Sequence, residues 1–211
     1  MLVRRSPTNT PEMKEHTMTV DTDAANKVLA GLRPFPVAIT TIDGGFGNGL
    51  MSLSAGSASI IPEAPRATIS LTKYNKTHDM VANSGIFVMH MLSAEDDQLE
   101  KSLEILMTLG GSSGRDGDKL SKLRTKTGVT GAPILLDAHS YVEARIVGTL
   151  DVQESSIFVG DVVAAEILNP GQRLKINEAW GKLPEEWIAQ YDANHEPQLA
   201  NARARRFGQK V

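Results

Sequence analysis

Short strand-like runs, separated by turns rich in glycine and proline, constrain the fold of this chain most strongly. The runs rich in β-branched and apolar residues are Val37–Ile42, Gly49–Leu53, Ala67–Thr72, Ile86–Leu92, Tyr141–Leu150 and Ile157–Leu168. They do not alternate regularly with helical segments, as the strands of a parallel βαβ fold do. The pattern therefore predicts a mainly β protein, built as a barrel or a sandwich with a few flanking helices.

Helical signals interrupt these strand candidates. The first begins near Asp23, and the second covers Thr77–Ser84, with Thr77 as the expected N-cap. The third follows Ser93, which we expect to be its N-cap, and it ends at Gly110–Gly111. Each helix is short enough to flank a sheet rather than form a bundle.

The chain has 211 residues, enough for one well-buried domain with appendages. Residues 1–21 are polar and show no hydrophobic periodicity, which predicts a flexible N-terminal arm. Residues 22–168 hold the strand signals and form the predicted domain. Residues 169–211 are expected to be a C-terminal extension that packs on this domain or on a partner subunit.

Composition excludes several classes of function. The net charge of −3 and the pI of about 6.0 argue against a nucleic-acid partner. The absence of cysteine removes disulfides, thiolate nucleophiles, iron–sulfur clusters and cysteine-ligated zinc. The five histidines lack metal-ligand spacing, so we predict no metal site. No apolar run has the ~18 residues of a membrane span, and no signal peptide is evident, so a cytoplasmic location is expected.

A candidate anion site precedes the second helix. Lys73, Asn75, Lys76 and Thr77 stand where the first backbone amides of a helix have no internal partners. Those amides, the helix dipole and two lysines would attract a phosphate group. The same residues also fit a surface helix that is capped by Thr77 and has solvated lysines.

A run of small hydroxyl residues follows a glycine-rich turn. Ser52, Ser54, Ser57 and Ser59 would share one face of a strand if the strand were continuous. Small residues let a ligand ring approach the backbone, and hydroxyls can bind a polyol chain; an edge strand that avoids pairing is the alternative. Together with the anion site, this run predicts a phosphorylated planar cofactor, and we expect flavin mononucleotide (FMN).

Familiar catalytic motifs are missing. The segment GGFGNG does not fit the dinucleotide fingerprint, because the third glycine position falls on Ser52. The sequence contains neither a Walker A motif nor the G-x-S-x-G of serine hydrolases. His90 stands in an apolar run and is predicted to be a core histidine. Glu143 alternates with apolar neighbours and is predicted to lie on a polar strand face.

The order of these segments resembles the flavin reductase-like family, whose fold is the FMN-binding split barrel, a Greek-key β-barrel. The segments that carry the resemblance are RPFPVAITTIDG, NGLMSLSAGSASIIPEAP, ISLTKYNKTHDMVANSGIFVMHML, SGRDGDKL, GAPILLDAHSYVEARIV and IFVGDVVAAEIL. They follow one another in uninterrupted order and cover roughly Pro34 to Leu168. The resemblance places the FMN-binding split barrel in residues 22–168.

The resemblance also implies where the cofactor lies. The segment Asn48–Ser54 would lie along the isoalloxazine ring. The amides of Leu50, Met51 and Ser52 would face the polar edge of that ring. Ser54, Ser57 and Ser59 would lie beside the ribityl chain and phosphate, and Lys73, Asn75, Lys76 and Thr77 would bind the phosphate. The family is typically homodimeric, with flavin near the subunit interface. Trp180 and Trp187 would then cover the flavin, pack on the partner, or pack in the core.

Two departures from the family pattern stand out. Members of the family often carry Gly-Asp-His before the strand that begins near Ile157, and that histidine is associated with nicotinamide binding. Here the segment is Gln153–Ser156. Met51 stands where many members have threonine, which removes a side-chain contact to the ring but leaves the backbone contact.

The leading functional prediction is an NAD(P)H-dependent flavin reductase that passes hydride from nicotinamide to flavin N5. Electrons would leave to oxygen, free flavin or a partner oxygenase, and FAD is an alternative to FMN. No side chain is assigned as catalytic, since the flavin supplies the reactivity. The alternatives are a flavoprotein that passes electrons to a protein partner without nicotinamide, and a split-barrel oxidase acting on another phosphorylated substrate.

Overall fold

The computed structural model describes residues 20–115 and 117–208, in two units that divide after Leu32. The first unit contains helix α1 (Thr22–Gly31), whose N-cap Asp21 accepts a hydrogen bond from the Ala24 amide at 3.0 Å. This confirms the helix predicted near Asp23. Residues 1–19, most of the predicted N-terminal arm, lie outside the described residues.

The second unit is built on an antiparallel sheet, and the mainly β prediction is confirmed. Its strands are β1 (Val37–Asp43), β2 (Phe46–Ser52), β3 (Ala55–Ser57), β4 (Arg66–Thr72), β5 (Ile86–Met91), β8 (Ser140–Asp151) and β9 (Ser155–Ile167). Within the described residues they form one sheet of seven strands, in the order β2-β1-β5-β8-β9-β4-β3. The sheet curls into a half-barrel, and β6 (Thr125–Thr127) pairs separately with β7 (Pro133–Leu135).

Four helices accompany the sheet in the described part of this unit. They are α2 (Lys76–Ser84), α3 (Asp96–Gly110), α4 (Ile176–Trp180) and α5 (Glu185–Phe207), and a single 3-10 turn covers Leu120–Lys122. The predicted C-terminal extension, 169–211, thus contains α4 and α5. No described helix has the length and apolarity needed to cross a membrane.

The core fills both faces of the sheet. Inside the curl, Phe87 and Phe158 are buried with Ile39, Ile69 and Val81. Burying each such side chain stabilises the fold by about 1.5–3 kcal/mol. On the opposite side, α3 and the C-terminal segment enclose a second cluster that includes Leu92, Ile105, Leu106, Leu109, Leu120 and Leu174.

Two predicted helix caps are each wrong by two residues. Helix α2 begins at Lys76 with Asn75 as its N-cap, so Thr77 lies in the first turn, where it is buried. Helix α3 has Glu95 as its N-cap. Ser93 lies in an extended bridge with Arg173, and its hydroxyl accepts from the Glu95 amide before the helix begins.

The hydroxyl run does not form one continuous strand face. Strand β2 ends at Ser52, whose hydroxyl accepts a 3.0 Å hydrogen bond from the Ser54 amide. Such a serine turn satisfies the backbone locally and competes with strand pairing. Strand β3 starts only at Ala55, so the alternation expected from Ser52 to Ser59 is broken.

Two buried polar residues in the sheet have complete partners. The core position predicted for His90 is confirmed: Nδ1 lies 3.2 Å from the Ala38 carbonyl, and Nε2 accepts from the Leu135 amide at 3.0 Å. The polar face predicted for Glu143 is wrong, because its carboxylate is fully buried. It accepts hydrogen bonds from the amides of Val129 and Thr130, and this anchors the turn before β7.

Candidate functional site

A cavity of about 750 Å³ lies where β2 and β4 end. Its walls are the end of β2 and the following turn (50–54), the end of β4 (70–72), the start of α2 (74–77), the end of α3 with its loop (110–115), and one side of α5. The volume falls within the range of sites that enclose small molecules. The cavity also combines backbone amides, hydroxyls and aromatic rings, as such sites usually do.

The phosphate end of the predicted site is built from the first turn of α2. Its N-cap, Asn75, makes no side-chain cap and instead donates from Nδ2 to the Thr72 hydroxyl at 2.6 Å. No N-cap side chain therefore pairs with the first backbone amides of α2. These amides and the positive end of the helix dipole are available to a ligand in the cavity. Lys76 adds a charge there: its Nζ donates to the Gly114 carbonyl at 3.2 Å and lies 4.5 Å from the centre of the Phe46 ring.

Lys73 is placed differently from the other predicted phosphate ligands. Its Nζ lies 2.6 Å from a carboxylate oxygen of Asp151, and its side chain is outside the set that lines the cavity. The Lys73 ammonium holds the pKa of the Asp151 carboxyl below its usual value, chiefly through this hydrogen bond. The ion pair joins the residue that follows β4 to the last residue of β8.

Asn48 lies behind the cavity wall and connects its two ends. Its Nδ2 donates to the buried Thr77 hydroxyl at 3.1 Å, while its Oδ1 is buried without a hydrogen-bond partner. Buried polar atoms are rarely left unpaired, so this acceptor is a place for a ligand donor or an ordered water. Gly114 has room only for hydrogen here, because a Cβ would overlap the Asn48 amide.

The structure brings some of the predicted hydroxyls together and not others. Ser52 and Ser54 line the cavity next to Leu50 and Met51. Ser57 is exposed, its hydroxyl 3.4 Å from the Ser59 carbonyl, and the Ser59 hydroxyl accepts from the Ile61 amide. Within this chain, Ser57 therefore ends β3, and Ser59 belongs to the connection between β3 and β4.

The sequence analysis named Trp187 but missed the aromatic row on α5 to which it belongs. Trp187 and Tyr191 stack with ring centres 5.3 Å apart, and Tyr191 and His195 stack at 6.2 Å. All three line the cavity. The helix is fixed by Trp187, whose Nε1 donates to the Met107 carbonyl at 3.3 Å. The four-residue spacing of these rings is the sequence signal that would have indicated one helix face.

A buried lysine in the cavity wall was also missed. The Nζ of Lys119 donates to the Gly49 carbonyl at 3.2 Å and to the Leu109 carbonyl at 3.0 Å. A lysine that is 8% exposed is uncommon. The sequence offers one hint, because Lys119 stands directly before the buried Leu120 in a segment otherwise rich in glycine and serine.

The strand position where the resembling family often has histidine holds two buried serines, Ser155 and Ser156. An imidazole reaches this position from another element: His78 Nε2 lies 3.0 Å from the Ser156 hydroxyl, and Nδ1 lies 2.9 Å from Asp79. His78 thereby joins α2 to β9. It is not among the cavity-lining residues.

Comparison with known proteins points in one direction. A family model described as a flavin reductase like domain matches residues 31–177, well over half of the chain. The chain is 33% identical over 107 residues to a ferric-chelate reductase (NAD(P)H) of Archaeoglobus fulgidus, matching 50% of this chain and 60% of that protein. It is 32% identical over 114 residues to a high molecular weight rubredoxin of Moorella thermoacetica, matching 54% of this chain and 48% of that protein. The chain therefore spans about half the length of these relatives.

Solved structures support the fold. An FMN-binding protein from Thermus thermophilus superposes with a TM-score of 0.56 at 19% identity, covering 79% of this chain and 82% of the other. This likeness confirms the predicted split barrel. Helix α5, with its aromatic row, lies beyond the residues that the family model matches.

Proposed function

Because this chain belongs to the flavin reductase like domain family, we propose that it is an FMN-binding oxidoreductase that takes hydride from NADH or NADPH. The observation that carries the proposal is the cavity itself, which joins the N-terminal end of α2 to the end of β2. An anionic group and a flat ring linked by a polyol chain would occupy the two ends of that space. FMN has this chemistry, and FAD is the alternative, with its adenosine half outside.

The residues present fit an FMN phosphate at one end of the cavity. The uncapped first turn of α2 offers amides, and Lys76 and Thr77 add an ammonium and a hydroxyl. Asn75 bounds the same end. We propose that Lys73 attracts the phosphate only at longer range, since its ammonium is paired with Asp151.

The other end of the cavity fits the ring and the ribityl chain. The backbone at Leu50, Met51 and Ser52 would face the polar edge of the ring, and Ser54 would lie near the polyol. We propose that Asn48 acts from behind the wall, through its hydrogen bond to Thr77, and that an ordered water satisfies its unpaired Oδ1. We propose that Ser57 and Ser59 contact the cofactor only if it is bound by a partner subunit or if the β3–β4 connection shifts.

When bound, the flavin supplies the hydride acceptor. The chain contributes orientation and exclusion of water: β2 positions the ring, the start of α2 holds the phosphate, and α5 closes one side with aromatic residues. We assign no side chain as a proton donor or acceptor.

We also propose a homodimer. Ile60 is 99% exposed, and Ile61, Leu150, Val163 and Ile167 are also exposed. These apolar residues of the second unit would be covered by a second copy of the chain. Light scattering that gives a monomer at micromolar concentration would contradict this. The electron acceptor is proposed to be oxygen, free flavin or a partner oxygenase.

A flavoprotein that passes electrons to a protein partner without nicotinamide is the second candidate. The similarity to the Moorella rubredoxin favours it, as does the replacement of the family's histidine by Ser155 and Ser156. The two candidates differ in a single measurable step, the reduction of bound flavin by nicotinamide.

Anaerobic stopped-flow mixing tests the proposal. The protein loaded with FMN is mixed with NADH or NADPH, and the loss of flavin absorbance is compared with that of free FMN. Reduction by either nucleotide much faster than free FMN supports the reductase. Binding of FMN without reduction by either nucleotide eliminates it in favour of the second candidate, and failure to bind any flavin eliminates both.

A further inference from the structure

We infer that Lys119 supplies a fixed positive charge to the ring end of the cavity, stabilising the reduced flavin and raising its reduction potential. This inference rests on the proposed function. It concerns a residue that lies away from the phosphate end, where Lys76 stands. It therefore assigns different roles to the two cavity lysines.

Two backbone contacts help to position Lys119. Its Nζ donates to the carbonyl of Gly49, the residue immediately before the proposed ring-facing amide of Leu50. The same Nζ donates to the carbonyl of Leu109 in the last turn of α3. The ammonium thus lies between the end of α3 and β2, inside the wall that lines the cavity.

The surroundings hold this charge in place. The C-terminal end of a helix carries partial negative charge, so the end of α3 favours an ammonium at the Leu109 carbonyl. The backbone around Lys119 is fixed on both sides: the Asp118 carboxylate accepts from the amides of Leu120 and Ser121, and Leu120 is buried in the core. A group fixed in this way needs little reorganisation when the charge on its neighbour changes.

Flavin reduction changes the charge that this ammonium would meet. A bound ring would gain one negative charge on accepting a hydride, that is two electrons and one proton, from reduced nicotinamide, which would thereby be oxidised. A nearby positive charge favours the product over the oxidised ring, especially where water is excluded. Lys119 is 8% exposed, so solvent screens its charge only weakly.

The test compares neutral and charged replacements in the full-length protein. Lys119→Gln keeps a donor for the two carbonyls but removes the charge, and Lys119→Met keeps only the aliphatic stem. Lys119→Arg retains the charge. Lys122→Gln, at an exposed lysine that ends the same 3-10 turn, is the matched control. Circular dichroism checks folding, and either neutral variant that folds decides the outcome.

The measured quantities are the affinity for oxidised FMN, by fluorescence titration, and the midpoint potential of the bound flavin, by spectroelectrochemistry. We expect the neutral variants to bind reduced FMN about tenfold more weakly relative to oxidised FMN, which lowers a two-electron potential by about 30 mV. The Lys119→Arg variant and the Lys122→Gln control should leave the potential within a few millivolts of the parent, roughly a tenth of that shift.

A neutral variant that binds FMN with the parent potential overturns the inference and leaves the proposed function standing. A parent protein that binds no FMN removes the proposed function, and the inference falls with it. A purely structural role for Lys119 would lower the unfolding temperature without moving the potential, and this too would overturn the inference.

Discussion

The side-chain amide of Asn48 donates a 3.1 Å hydrogen bond to the hydroxyl of Thr77, and this bond ties β2 to the first turn of α2. Both residues are nearly inaccessible to solvent. The bond therefore sets the spacing between the ring end and the phosphate end of the proposed flavin site. Since Asn48 Oδ1 has no partner, the same side chain has capacity for one further contact.

Asn48→Ala should destabilise the protein and weaken FMN binding together. The substitution removes the donor to Thr77 and empties the space beside Gly114, so we expect unfolding free energy to fall by about 1–3 kcal/mol in urea titrations. Asn83→Ala, which removes an exposed hydrogen bond to Asp43, is the control and should cost much less. Equal losses for the two variants would contradict the role given to Asn48.

Lys76→Ala should discriminate between flavins with and without a phosphate. Lys76 stands at the start of α2, so its loss should weaken FMN binding about tenfold, or about 1.4 kcal/mol. Riboflavin affinity, measured by the same fluorescence titration, should stay unchanged. Lys73→Ala should have a smaller effect, because Asp151 already engages that ammonium. A larger loss from Lys73→Ala than from Lys76→Ala would reverse the assignment of the phosphate end.

His90 should make the folded state sensitive to acid. Burial lowers the pKa of His90 from its usual 6.5 to about 4, against smaller opposing effects of the Ala38 carbonyl and Glu143. Between these two values the unfolded chain binds a proton that the folded chain does not, so stability is lost as the pH falls from 6.5 towards 4. The loss attributable to His90 is about 3 kcal/mol at most.

His90→Gln isolates this effect from the titration of carboxylates. Glutamine can also donate to one backbone group and accept from another, but it does not titrate in this range. In urea titrations at pH 7 and pH 4.5, the parent should lose more stability on acidification than the variant. Parallel losses would show that His90 does not carry the effect.

Gly111→Ala should loosen α5 from the end of α3. A Cβ at this position would lie 2.5 Å from Trp187 Nε1 and 2.8 Å from the Met107 carbonyl, two atoms that hydrogen-bond to each other. Overpacking of this kind typically costs about 1–3 kcal/mol. Trp180 and Trp187 are the two tryptophans of the sequence, so their emission should shift to longer wavelength.

Gly148→Ala is the matched control for that variant. No heavy atom lies within 4 Å of the Cβ that would be added there. Its emission spectrum should equal that of the parent. Unchanged emission from Gly111→Ala as well would show that the contact between α3 and Trp187 is dispensable.

The strands were predictable because their signals are local. Two long runs of β-branched residues near the C-terminal half became β8 and β9, and turns rich in glycine marked where strands end. Helix α5 gave no comparable signal. Its sequence is mostly polar and contains Pro197, and no residue of the helix is fully buried. Its place is set by a few aromatic contacts, and the four-residue spacing of Trp187, Tyr191 and His195 is the signal that these contacts leave in the sequence.

The candidate site likewise has parts that the sequence predicted and parts that it did not. The sequence, in part through the family resemblance, predicted that residues 48–54 and 73–77 bind a phosphorylated ring, because small hydroxyls and the first amides of a helix are properties of neighbouring residues. It predicted that Lys73 and Lys76 both bind the phosphate, although Lys73 forms an ion pair with Asp151, which is far away in the sequence. It also passed over Lys119, because the two carbonyls that hold this ammonium belong to β2 and α3.

By itself, the sequence determined which segments form strands and which helix end offers unpaired amides, because backbone propensity and hydrogen bonding act over a few residues. Only the tertiary structure decided which charges face the cavity and which are paired elsewhere. Electrostatic contacts act through space between segments far apart in the chain, so their partners exist only once the sheet has curled and α3 and α5 have packed against it.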